Sequence, residues 1–141
     1  MEIEKRCNAI EECYEFMLAY AAQGLSSDRG SGSGEQIRDF LSRAVNAMNG
    51  LAESYATAVR TEGLEPAQKY QAFLDVLNRD ARDSLAAIEL VLIQPAISSQ
   101  LIDNLNASIH LRALLTDLFL VDELLKTQRQ QADLIAIPFG C

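Results

Sequence analysis

An all-α fold follows from three features of this sequence. Apolar residues recur at alternating spacings of three and four over four long stretches, the period of one helix face. Pro (3) and Gly (7) are few in 141 residues, while Ala and Leu, which lose little entropy in a helix, are frequent. The segments that separate the periodic stretches are short and carry Gly, Pro or Ser, the residues that stop and start helices. Together these predict one domain over residues 1–128, an antiparallel up-down four-helix bundle with helices at about 2–24, 35–61, 66–94 and 98–128. A flexible Gly/Ser loop joins the first two helices, and an extended apolar tail occupies residues 129–141.

The first helix is carried by Ile3, Cys7, Ile10, Tyr14, Met17 and Ala21, with Cys13 and Tyr20 widening the stripe. Glu2 and Glu4 suit the positive end of its dipole, and Gly24 is placed to terminate it. SSDRGSGSG, Ser26 to Gly34, reads as a mobile surface loop. It lacks the Lys-Ser/Thr ending of a phosphate loop and the spacing of a dinucleotide fingerprint. Deleting residues 28–33 is therefore expected to cost little stability.

Ile37, Leu41, Ala44, Met48, Leu51, Tyr55 and Ala58 form one uninterrupted seam for the second helix. Ala44, Ala47 and Gly50 make its middle slender. Gly63 ends it, and Pro66 opens the third helix, whose face is Tyr70, Leu74, Leu77, Ala81, Leu85, Ile88 and Leu92. Pro95 breaks the chain and Ser98 or Ser99 caps the fourth helix. In that helix the apolar residues share one face up to Ile109 and then spread to nearly every side from Leu111 to Leu125. A helix apolar on several sides is central or shared with a second subunit. A four-helix bundle has no centre, so the surplus predicts a homodimer, with Leu90, Ile93, Leu111, Leu115, Leu118 and Phe119 as the interface. In the tail, Leu134, Ile135, Ile137 and Phe139 cluster about Pro138, which with Gly140 opposes a helix.

The net charge is −8 and no quarter of the chain is basic, which argues against nucleic acid and against an anionic membrane surface. No stretch is long and apolar enough to span a bilayer, and the acidic start, MEIEKRCNAIEE, has no signal-peptide pattern. Three cysteines, Cys7, Cys13 and Cys141, do not form a disulfide framework and fit the cytoplasm. Cys7 and Cys13 lie about 120° apart around a helix, so they are expected to be buried core thiols rather than a metal pair.

His110 is the sole histidine, which excludes any site that needs two. As a phosphoacceptor it would want a lysine three or four residues on, where Ala113 and Leu114 stand. Glu89 is flanked by Ile88, Leu90, Val91 and Leu92, so Glu89 and His110 are the candidate buried polar groups. No catalytic, metal or nucleotide motif is present, and neither a cofactor nor enzymatic activity is expected. The functional expectation is a homo-oligomeric accessory or regulatory protein of adaptor or chaperone type. It would bind a protein partner through the third and fourth helices or the tail. The alternatives are a bundle that takes an apolar small molecule or tetrapyrrole beside Ala44–Gly50 and, more weakly, phosphotransfer at His110.

Overall fold

The computed structural model describes the backbone of residues 1–140 and the side chains of residues 1–131. Its helices are α1 (Ile3–Ala22), α2 (Gly32–Met48), α3 (Leu51–Glu62), α4 (Ala67–Leu92), α5 (Ser99–Ala107) and α6 (His110–Gly140). There is no strand among the described residues. The all-α class is as the periodicity predicts, and α1 and α4 lie within two residues of their expected bounds. The second and fourth expected helices are each broken in two.

The first break falls at Asn49–Gly50. Gly50 takes φ +80, a left-handed conformation that suits glycine, and Asn49 is extended. A lone glycine does not by itself stop a helix. Here Arg6 of α1 completes the break: its guanidinium donates to the carbonyls of Ala47 and Asn49. It thereby satisfies acceptors that the end of α2 leaves open and places a cation at the negative end of the helix dipole. The second break falls at Ser108–Ile109, where Ile109 has φ +65, an uncommon state for a β-branched residue. Each break changes the neighbour. α2 and α5 pack chiefly on α1, whereas α3 and α6 pack chiefly on α4.

Paired side chains give the directions. Tyr20 meets Ile97 and Ser99, while Cys7 meets Asp122, so α1 runs opposite to α5 and α6. Arg38, early in α2, reaches the carbonyls of Leu92 and Gln94 at the end of α4, so α2 and α4 are also opposed. The core is one cluster along these contacts, with Ile10, Met17, Tyr20, Leu41, Tyr55, Leu77, Ile88, Ile102 and Leu114 at or near zero exposure. Cys7 and Cys13 are free and buried within it, as their place on the apolar stripe implies. Ala44 and Ala47 are fully buried, and the Ala47 carbonyl accepts from Arg6 of α1.

Two expectations are corrected. The backbone of residues 129–139 continues α6 as helix instead of an extended tail. Thr127 to Ala136 carries no breaker, and Pro138 arrives only in the last turn, where few helical hydrogen bonds are left to lose. The side chains of Leu134, Ile135, Ile137 and Phe139, and Cys141 as a whole, lie outside the described residues.

The Gly/Ser segment is not a loose linker. Ser31 caps α2, its hydroxyl accepting from the Gly34 amide at 2.8 Å, and the helix begins inside the glycine run at Gly32. Asp28 is only 9% exposed. One of its carboxylate oxygens accepts from the Ile97 amide at 2.7 Å and the other from Arg38 Nε at 2.7 Å. Gly34 is packed so tightly that an added Cβ would lie 1.7 Å from the Asp28 carbonyl oxygen. Loss of residues 28–33 would remove this clasp, so the expectation of a harmless deletion is overturned.

Candidate functional site

The six residues expected at a dimer interface divide into two sets. Leu111, Leu115 and Leu118 are 4%, 6% and 0% exposed and belong to the chain's own core, together with Leu114, Val121 and Leu125. The turn at Ser108–Ile109 lets α6 bury this row against α4, which removes much of the apparent surplus. Leu90, Ile93 and Phe119 are open to solvent, at 60%, 76% and 56%. Leu120 and Leu124, one helical turn apart, join Phe119 on the outside of α6.

Beside Leu124 an apolar groove of about 360 Å³ lies between the start of α4 and α6. Tyr70, Phe73, Pro66 and Val121 line it, with Lys69 and Glu65 among its polar residues. The groove follows from chain order. α4 and α6 are antiparallel, so aromatic residues in the first turns of α4 stand opposite the middle of α6. Of the outward apolar residues of α6, Leu124 borders it, since the inward row is already occupied by the core.

Neither candidate buried polar group is buried. Glu89 is exposed because the inward row of α4 is Leu77, Ala81, Ser84, Ile88 and Val91, and Glu89 sits about 100° round from Ile88. Its apolar neighbour Leu90 faces solvent as well. His110 is exposed as the first residue of α6.

The polar groups that are buried were not among the expected ones. Tyr55, fully buried, donates to Asp122 Oδ1 at 2.6 Å. Its oxygen also lies 3.2 Å from Cys7 Sγ, and the Cys7 thiol is 3.8 Å from Asp122 Oδ2, so the three side chains form one hydrogen-bonded cluster. Burial pushes the Cys7 thiol up to about 11, with Asp122 and Glu11 adding to the rise against the Tyr55 contact, so it is neutral at pH 7. Burial, then Asp122, raises Tyr55 as well. A thiol held neutral in this way is a weak nucleophile. Cys13, pushed up to about 12 by burial, is equally inert.

This cluster opens on a cavity of about 410 Å³ that Glu11, Lys126 and Arg129 also line. Arg129 is engaged by Glu62 at 2.8 Å across the surface. The arrangement supplies a hydrogen-bond relay from a neutral thiol and a phenol to the Asp122 carboxylate. Among the described residues no group of three or more His, Cys, Asp or Glu side chains comes together as a metal would need.

Two further aspartates matter. Asp28 is held down to about 2, chiefly by its hydrogen bond from Arg38 and then by the Ile97 amide, against the opposing effect of burial. Asp117 is pushed up to about 7, first by burial and then by its contact with Asp80 of α4. Asp28 and Arg38 stand ten residues apart across a glycine run, and with Arg29, Glu35 and Asp39 among their near neighbours nothing in the sequence singles out that pair. Nothing in the local pattern marks Tyr55 as the partner of Asp122, since the two are 67 residues apart.

No helix among the described residues is long and apolar enough to cross a membrane. Comparison with protein-family models, with curated proteins and with solved structures finds no match for this chain.

Proposed function

We propose that the protein is a non-enzymatic helical interaction module that self-associates through the outer face of α6. The carrying observation is the open apolar surface of that helix, Phe119, Leu120 and Leu124, which at Leu124 borders the groove walled by Tyr70 and Phe73. Scattered single apolar residues are ordinary on a surface, whereas a row beside an apolar groove is a recurrent mark of contact surfaces. The polar clusters support the same reading by default of chemistry: their acids and thiols are engaged in holding helices together. Two free, buried thiols suit a reducing compartment, and the cytoplasm is the proposed place of work.

Sedimentation velocity over a range of concentrations tests this. The wild type should form a dimer or higher oligomer, and Phe119→Asp with Leu120→Glu should yield a folded monomer of unchanged helicity. A wild-type chain that stays monomeric at its solubility limit would refute self-association. So would an oligomer that survives both substitutions.

A further inference from the structure

The seam between α4 and α6 contains a polar feature that neither helix needs for packing. Asp117 lies on α6 beside the inward row of Leu114, Leu118 and Val121, and one of its carboxylate oxygens is shut away from solvent with no hydrogen-bond partner. Asp80 of α4 stands opposite it across the seam: Phe73 and Leu124 line one groove, and the antiparallel register carries that pairing two turns on, to Asp80 and Asp117. One turn along α4, the Ser84 hydroxyl is also buried and unpartnered. Two carboxyl groups hydrogen-bond to each other only when one of them holds a proton, because an ionised carboxylate can only accept.

The surroundings offer no substitute for that proton. Asp80 is the charged group that acts on Asp117 from α4. Its neighbours along that helix, Arg79, Arg82 and Asp83, are exposed. On α6, Arg112 and Glu123 are exposed, and Asp122 is turned toward Tyr55 and Cys7. On α5, Asp103 is exposed, and on α1, Glu11 and Glu15 act on the Asp122 side. No cation of a helix packed on α6 opposes the pair among the described residues.

We propose that Asp80 and Asp117 share one proton across the α4–α6 seam, and that this proton is a switch: bound, it holds the seam shut; lost, it leaves two like charges that loosen it. The seam is also the floor of the outer face of α6, since Asp117, Leu120 and Leu124 follow one another at helical spacings of three and four. The device acts within one chain, so it stands or fails independently of self-association.

The sign follows from linkage. Asp117 is raised above the ordinary carboxylate range, so its contribution to stability is complete below about pH 4 and is lost as pH rises through about 7. Urea unfolding of the full chain between pH 5 and 8.5 provides the test, on the wild type, Asp117→Asn and Asp80→Asn. The wild type should lose stability with rising pH. Asp117→Asn should flatten that slope by about one proton, and at pH 8.5 its midpoint should lie at higher urea than the wild type's.

Asp80→Asn removes the second charge and should flatten the slope likewise. In the wild type, carboxyl-carbon NMR should place the Asp117 titration well above the ordinary carboxylate range, and amide exchange corrected for pH should show protection falling around Asp117 before it falls in α2. Slopes that coincide in all three proteins, or an Asp117 that titrates in the ordinary carboxylate range, would overturn the proposal. Should Asp117→Asn fail to fold, the Asp80→Asn slope and the wild-type titration decide the matter alone.

Discussion

Asp28 and Asp117 are two aspartates that folding takes wholly or partly out of water, and their surroundings drive them in opposite directions. Asp28 meets a guanidinium and a backbone amide, both donors, and its carboxyl falls to about 2. Asp117, half-buried with one carboxylate oxygen shut away from solvent, faces another carboxyl and rises to about 7. Burial is common to both; the partner differs. A buried carboxylate that accepts charged and neutral hydrogen bonds becomes a fixed rivet, whereas one that faces its own kind becomes a proton-dependent contact.

The sharpest way to break the first half of that contrast is through Gly34. Gly34→Ala sets a Cβ against the Asp28 carbonyl oxygen, and because the obstacle is backbone it should cost about 3 kcal/mol or more in urea denaturation. Gly32→Ala, two residues away with nothing within 4 Å of the added carbon, should leave stability near the wild type's and isolates the close approach as the cause. Next in size, Asp28→Ala strands the Ile97 amide and the Arg38 side chain. A loss of about 2–3 kcal/mol at pH 7 is expected, below that of a wholly buried pair because Arg38 is 34% exposed. Asp28 is depressed, so its contribution is present above about pH 4 and disappears as pH falls through about 2; the gap between wild type and Asp28→Ala should close over that interval.

Tyr55→Phe, which removes the relay between Cys7 and Asp122 but keeps the ring, should cost about 1–2 kcal/mol by thermal unfolding. The smallest effect has the opposite sign. Above pH 7, Asp117→Asn should gain up to about 1 kcal/mol, and a loss there would erase the distinction between the two aspartates.

What the sequence makes legible is the part of the fold that depends on local period. α1 and α4 follow from spacing alone, and Gly24, Gly63 and Ser98 stop or cap helices where the residue types indicate. The breaks at Gly50 and Ile109 are not local. Arg6, 41 residues from Ala47, helps to end α2, and nothing in the residue type of Ile109 marks it for a positive φ. The Gly/Ser segment is misread for a similar reason. Composition reports conformational freedom of the unfolded chain, whereas Asp28 finds its partners at Arg38 and Ile97, one of them 69 residues away. At the expected interface, apolarity alone does not say which side of α6 faces inward. Leu118 and Phe119 are neighbours in sequence, and only the packing of α6 on α4 sends one into the core and the other to solvent.

The clasp at Asp28 also bears on what happens when the chain is cut. Arg29 and Gly30 are exposed, so trypsin has an accessible peptide bond after Arg29. A nick there leaves Asp28 on the shorter fragment and Arg38, Ile97 and Ser99 on the longer one, while Tyr20 still donates to the Ile97 carbonyl. The two pieces should therefore co-elute as a folded two-chain molecule, and the separately prepared fragments should reconstitute it on mixing.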